Sequence, residues 1–207
     1  MESHVRGGTR WKRFAVVMVP SLAATAAIGV GLAQGALAAS FSVSGQSFKV
    51  KAERLEGKGF VQYGALAQGH DLKGEKASHP VAVSGFETAD ITNMCQSVVT
   101  PGVPVFGSVS LVLRAGGSGT PVHAKNLYID VAQLDADATF KGMDIGVAAQ
   151  DAGIKPGERN ANPYGFSQRA DEATLTNVEQ TAWATTAGTF ELSGLSMRLH
   201  KGVKECF

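Results

Sequence analysis

The apolar residues of this chain recur at one unusual spacing. They stand at offsets 0, 2, 5, 7 and 9 from Phe190 to Leu199, from Val122 to Val131 and from Ala138 to Val147. Looser copies begin at Ala89, Phe106 and Ala173. Period-two alternation is typical of a strand with one buried face, and a β-bulge would account for the single skip of two positions. The spacing therefore predicts bulged, coiled strands, and it leaves open whether the copies form a true repeat.

Composition and turn signals support an all-β fold. The 207 residues include 25 glycines, and long helix-forming runs are missing. Loops are predicted at 68–80, 115–121 and 151–166, where glycine, proline and asparagine cluster. A helix competes between Arg169 and Gly188, but the threonine content there favours a strand. We expect a coiled or bulged antiparallel sheet, sandwich or barrel-like, with the strands at 122–131, 138–147 and 190–199 facing one core or cavity.

The N-terminal region has the order of an export signal. A basic start with Arg6, Arg10, Lys12 and Arg13 precedes a stretch without charge that ends only at Lys49. Small residues at Ala36-Leu37-Ala38 fit a cleavage site, which predicts a helical signal peptide over 1–38 and one mature domain over 39–207. A retained signal anchor is the alternative, because the uncharged run is longer than the roughly 20 residues that span a bilayer. We expect an extracytoplasmic protein, secreted or held at the cell surface.

The chain contains two cysteines, Cys95 and Cys206, and both follow the signal segment. An even count in an oxidising compartment favours a disulfide over two free thiols. The bond would tie the C-terminus to the middle of the chain.

Charge limits the class of partner. Residues 1–38 carry four basic and one acidic residue of the chain's 19 Lys and Arg and 18 Asp and Glu, so the mature domain has a net charge of −2. We therefore expect neither the electrostatic signature of a nucleic-acid binder nor a polybasic patch for anionic lipid headgroups.

No catalytic or metal-binding motif emerges from the sequence. The sequence most similar to the nucleophile elbow of a serine hydrolase, around Ser118, lacks the final glycine of that motif and is typical of a turn. The acidic group of Asp135, Asp137 and Asp144 lacks the glycine and glutamate of a calcium loop. Four histidines could each act as a base, but none is paired by sequence with a nucleophile and an acid: His70, His79, His123 and His200. We expect no catalytic residue, no metal and no cofactor.

Several segments resemble a known family. They are the N-terminal 52 residues, "ITNMCQSVVTP", "FGSVSL" and "GLSMRLHKGVKECF". The chain is similar over its whole length to uncharacterised exported proteins of filamentous actinobacteria, a domain of unknown function whose members often carry the automatic label "cholesterol esterase". The resemblance implies that the protein is exported. It includes both cysteines, and it assigns no catalytic residue.

Three functions are consistent with these observations. The first is a secreted or envelope-associated, non-catalytic β protein that binds a lipid or another apolar ligand, since small concave β folds hold such ligands. The second is a self-associating structural protein of the cell surface, and the third is a lipid-ester hydrolase. A membrane or envelope partner is compatible with each, and the sequence does not set the oligomeric state.

Overall fold

The computed structural model describes residues 44–117, 119–153 and 161–207, which lie in the compact unit Phe41–Phe207. The predicted signal segment 1–38 lies outside these residues. Within them, no helix has the length and apolar character needed to cross a bilayer.

The described residues form an antiparallel sheet of nine strands, which confirms the predicted all-β class. The strands are β1 (Phe48–His70), β2 (Lys76–Thr92), β3 (Met94–Val103), β4 (Gly107–Ala115), β5 (Val122–Lys141), β6 (Asp144–Ala148), β7 (Phe166–Thr186), β8 (Thr189–Glu191) and β9 (Ser196–Lys201). A short 3-10 turn, Ala149–Ala152, follows β6. The segment from Arg169 to Gly188, where a helix competed, is mostly strand β7.

The predicted loop at 68–80 is wrong for most of its length. Residues 66–70 of β1 pair with 76–80 of β2, so that the turn shrinks to 71–75. Asp71 closes this turn, because its Oδ1 accepts hydrogen bonds from the backbone N–H groups of Lys73 and Glu75 at 2.8 and 2.9 Å. Gly74, with φ 86°, supplies the left-handed residue that the turn requires.

Four long strands close into a ring. β1 pairs with β2, β2 with β5, β5 with β7, and β7 returns to β1. A second group, β3, β4 and β9, extends from the first residues of β1. Side chains that point into the ring form the main core: Leu55, Phe60, Phe86, Leu127, Ile129, Leu175 and Val178, with their neighbours. The ring is thus filled by side chains over most of its length.

The predicted skip in the apolar spacing is present in the long strands. Val122, Ala124, Leu127, Ile129 and Val131 are all buried in the main core, as are Ala173, Leu175, Val178 and Ala182. Four positions after the starts at Ala89, Val122 and Ala173, the backbone is left-handed, with φ 51° at Asn93, 49° at Asn126 and 53° at Asn177. Gly59, with φ 62°, lies at the equivalent place in β1, between the buried Leu55 and Phe60.

Bulges account for only part of this pattern. Register shifts occur between β5 and β7, near Val131 and near Asp137. Between β2 and β5 the register continues without a break from Ala82 to Ile91, past Asn126. There the skip between Ala124 and Leu127 lies opposite the skip between Phe86 and Ala89, so both strands keep their apolar side inward without an inserted residue.

Acidic side chains lie beside the left-handed residues. The Asn93 amide donates a hydrogen bond to Glu53, and the Asn177 amide donates one to Asp137 at 2.8 Å. Gly59 lies against Glu87, whose side chain occupies the space that a Cβ would need. Asparagine at these positions donates a hydrogen bond to the neighbouring carboxylate, whereas glycine leaves space for the acidic side chain.

Asn126 allows the left-handed backbone to be tested. We expect Asn126→Gly to change the free energy of unfolding by no more than about 0.5 kcal/mol, because glycine adopts positive φ freely. Asn126→Val should cost about 1–2 kcal/mol, since a β-branched residue is strained there. Urea denaturation of the two variants checks the difference. Equal stabilities would contradict the role given to the backbone at this residue.

The two sharpest copies of the spacing do not form single strands, and for them the prediction is wrong. The copy at 138–147 is interrupted at Gly142 (φ 62°), which separates β5 from β6, and Ile145 is exposed. The copy at 190–199 is divided at Gly194 (φ 67°), because β8 pairs with β5 whereas β9 pairs with β4. Phe190 and Leu192 therefore pack on the main core, while three side chains beyond Gly194 are exposed: Leu195, Met197 and Leu199.

Candidate apolar binding cleft

The ring of four strands is open at one end. Where the structure describes the chain, β5 pairs with β2 through Val122–Val131, and its residues 133–141 pair with β7 alone. Residues 76–81 of β2 likewise pair only with β1. Among the described residues, no strand joins these two free edges. The interior of the ring is therefore accessible between them.

A cavity of about 150 Å³ lies where the ring opens. All four ring strands line it: Leu55, Phe60, Gln62, Ser84, Phe86, Ile129, Leu134, Ala136, Ala138, Phe140, Leu175, Val178 and Gln180. The Phe60 ring packs between those of Phe86 and Phe140, with centroid distances of 5.3 and 5.1 Å. An apolar cavity of about 150 Å³ can hold a group the size of benzene. The lining suits one apolar ring or the end of an acyl chain.

Two polar groups at the edge of the cavity are engaged with each other. The Gln62 amide donates a hydrogen bond to Ser84 Oγ at 2.9 Å, and its carbonyl accepts one from Gln168. Since these bonds already occupy Gln62, it presents little free polarity to the cavity. Gln180, which is buried, completes the polar part of the lining.

The inner face of the β1–β2 hairpin continues outward from the cavity. Beyond the Gln62–Ser84 pair, Gly64 lies opposite Ala82 and Leu66 opposite Pro80, and alternation places these pairs on the same side of the hairpin. Leu66 is 48% exposed, and Leu134 across the opening is 36% exposed. The cavity and this uncharged face together form the apolar cleft, open to solvent along one side.

One ion pair holds the strands at the rim of the cleft. Lys141 Nζ lies 2.7 Å from Glu172 Oε2, next to Phe140. The hydrogen bond and then the charge of Glu172 raise the pKa of Lys141, and Lys141 lowers the pKa of Glu172 in the same way. A carboxyl with a lowered pKa stabilises the fold above its ordinary pKa and loses that contribution as the pH falls through the folded value. Both groups are exposed, so acid weakens only this local contact.

A second hollow lies outside the ring, next to the cysteines. Cys95 and Cys206 form a disulfide with their Cα atoms 5.9 Å apart. The hollow has a volume of about 550 Å³ and polar walls that include Lys51, Glu53 and Arg114. Lys51 Nζ is 2.7 Å from Glu179, and Glu53 accepts the hydrogen bond of Asn93. Because most of these groups already pair across the hollow, it is a weaker candidate than the apolar cleft.

The histidines proposed as bases are dispersed. His79 stacks on Trp183 with ring centroids 3.5 Å apart, and His200 lies on β9. His123 Nδ1 lies 2.7 Å from Asp90 Oδ1, as in a histidine–aspartate pair. In the part of the chain that the structure describes, no hydroxyl group forms a hydrogen bond with His123, and Ser118 lies outside that part. His70, at the end of β1, completes the set.

The acidic residues considered for calcium are held separately. Asp135 accepts a hydrogen bond from Gln133 at 2.8 Å, and Asp144 pairs with Arg169 at 2.9 Å. Asp137 accepts the amide of Asn177. Within residues 44–117, 119–153 and 161–207, no group of three acidic, histidine or cysteine side chains is arranged to hold a metal ion.

Comparison with known families gives one match. A model described as a family of unknown function (DUF6230) covers residues 44–207. The chain belongs to DUF6230. The match includes both cysteines and every strand of the DUF6230 domain, so the cleft and the disulfide both lie inside it. The searches of curated proteins and of solved structures returned no match.

The cleft could not be located from the sequence. Its small residues, Gly64, Ala82, Ala136 and Ala138, give no motif, and its opening depends on where β2 and β5 stop pairing. The available signal was the alternation of apolar residues from Leu134 to Phe140. These residues have even numbers, whereas Val131 has an odd number. The change from odd to even apolar positions coincides with the register shift near Val131.

Proposed function

We propose that the domain is an exported, non-catalytic protein of the cell envelope that binds a lipid or isoprenoid in the apolar cleft. The observation that carries the proposal is the cavity of about 150 Å³, which opens onto an exposed apolar face instead of being sealed by strands. The cavity would take a ring or the end of an acyl chain, and the rest of the ligand would lie along Leu66, Ala82 and Leu134. Burial of apolar surface supplies the affinity.

Export is part of this proposal. The signal-like segment 1–38, the disulfide and the resemblance to actinobacterial exported proteins support an extracytoplasmic location. N-terminal sequencing of protein recovered from a culture medium tests the cleavage site, with Ala39 expected as the first residue. A membrane-bound product that retains Met1 would favour the signal anchor.

Filling the cavity tests ligand binding. Ala138→Trp places an indole in the cavity, and we expect it to weaken the binding of a fluorescent fatty acid at least tenfold, because the ligand loses that space. Thr139→Trp is the matched control, since Thr139 is the next residue of β5 and lies outside the cavity lining. Fluorescence titration gives the affinities, and thermal unfolding shows that both variants are folded.

Two results would overturn the proposal. Equal fatty-acid binding by the Ala138→Trp and Thr139→Trp variants would remove the cleft as the site. Hydrolysis of a lipid ester that disappears in Ser118→Ala or His123→Ala would identify an enzyme. We expect no such hydrolysis, because the sequence around Ser118 lacks an elbow and His123 is paired only with Asp90 among the described residues.

A further inference from the structure

Charge is unevenly distributed over the domain. Strands β3 and β4, residues 94–115, contain Arg114 and no acidic residue. Residues 196–204, from β9 into the C-terminal tail, contain Arg198, Lys201 and Lys204 and again no acidic residue. We name these two segments the basic lobe. The net charge of −2 of the mature domain therefore conceals a region with four cations.

The first acidic residue after the basic lobe is already neutralised. Glu205 Oε2 lies 3.2 Å from Lys49 Nζ. The same ammonium donates a hydrogen bond to the backbone oxygen of Phe207 at 3.1 Å. All four cations of the lobe are exposed, and none of them forms an ion pair with another described residue.

The basic lobe also exposes large apolar side chains. Val105 is 95% exposed and Phe106 54% exposed in the turn between β3 and β4, and Leu199 is 72% exposed on the edge strand β9. Val203, in the tail, is 68% exposed. Scattered single residues of this kind are normal on a surface, whereas a group of them marks an interaction site.

Backbone contacts bring these residues to one corner. Lys201 is the register partner of Val109, and the Gly202 N–H donates a hydrogen bond to the Ser108 carbonyl at 2.8 Å. The turn with Val105 and Phe106 thus lies beside the end of β9. Ser110 Oγ donates to the Gly202 carbonyl at 2.8 Å and accepts from the Lys204 N–H at 2.8 Å, which fixes the tail at the same place.

We propose that this corner docks on a lipid bilayer with anionic headgroups. Val105, Phe106 and Leu199 would enter the acyl boundary, and Lys201 and Lys204 would contact the headgroups. Apolar side chains flanked by lysine and arginine are the combination that binds such interfaces. The proposal uses none of the residues of the apolar cleft, so it stands independently of the proposed ligand.

A second copy of the chain fits this surface less well. Two basic lobes that met face to face or along β9 would bring Arg198 and Lys201 of each copy near like charges. Neither lobe offers an acidic side chain in exchange. Like-charge contacts disfavour an interface. An anionic bilayer complements the same surface.

Vesicle co-sedimentation tests the proposal. The protein is measured both as the full chain and from Ala39, because residues 14–38 are themselves apolar. From Ala39, we expect binding to vesicles that contain phosphatidylglycerol, little binding to pure phosphatidylcholine, and weaker binding as the salt concentration rises. Lys201→Gln with Lys204→Gln should weaken binding about 25-fold, at roughly fivefold for each lysine. Val105→Ser with Phe106→Ser should weaken it at least tenfold.

Matched controls come from the turn after β1. Leu72 is 59% exposed there, and Lys73 and Lys76 are nearby exposed cations outside the basic lobe. Leu72→Ser and the double variant Lys73→Gln with Lys76→Gln should bind vesicles like the wild type. Cooperative thermal unfolding shows that each variant is folded.

Three outcomes would overturn the docking surface. They are absence of binding by the wild type from Ala39, equal losses in the controls and the lobe variants, and self-association without vesicles that Phe106→Ser abolishes. The last result would assign the corner to a second copy. Fatty-acid binding in the cleft is measured on the same variants, so failure of the docking surface is separable from failure of the proposed ligand site.

Discussion

Loss of the Cys95–Cys206 bond is expected to lower the free energy of unfolding by about 4–5 kcal/mol. The bond closes a loop with a sequence separation of 111 residues. In the chain-entropy model, a cross-link over roughly 100 residues lowers the conformational entropy of the unfolded chain, and this destabilises the unfolded state by about that free energy. Since whole domains are stable by only about 5–15 kcal/mol, this one bond carries a large share.

The measurement compares the oxidised protein with the double variant Cys95→Ala, Cys206→Ala in urea. Alanine at both positions avoids a free thiol at the buried Cys95. The contacts of the tail remain in the variant, including the hydrogen bond from the Cys206 N–H to Ser97 Oγ at 3.0 Å. A loss below about 1 kcal/mol would show that these contacts hold the tail without the bond, and the entropic account would then be wrong.

Parts of the ring strands β2, β5 and β7 were predictable from the apolar spacing, because one side of each is buried, whereas β1 was not predicted. At Val122–Val131 every apolar position of the spacing is buried, since β5 pairs there with β2 and closes the core. The residue type at the skip also indicates its position, independently of the apolar pattern. Asparagine or glycine stands four positions after the start at Asn93, Asn126, Asn177 and Gly142, and these residues tolerate positive φ.

The same local pattern leads to different outcomes where tertiary pairing differs. Asn126 continues a strand because β2 runs beside it without a break. At Gly194 the chain passes from β8, which pairs with β5, to β9, which pairs with β4, and the apolar side chains that follow are exposed. Periodicity reports which side of a strand is apolar but contains no information on the strand that will cover it.

The candidate surfaces were less accessible to sequence reasoning for a related reason. Net charge is a sum over the chain, whereas the basic lobe depends on pairing that places 94–115 beside 196–201. The cleft depends on the end of the β2–β5 ladder at Ala82 and Val131. Both features belong to contacts between residues far apart in the chain.

Two leucines that occupy different copies of the spacing should respond very differently to truncation. Leu127 is 1% exposed in the main core, and Leu127→Ala is expected to cost about 2–5 kcal/mol because lost contacts leave a void among the ring strands. Leu195 is 48% exposed, and Leu195→Ala should change the free energy of unfolding by no more than about 0.5 kcal/mol. Urea denaturation of both variants provides the comparison. A large cost at Leu195 would mean that a partner copy or another surface covers β9 in solution, and a small cost at Leu127 would contradict the closed ring.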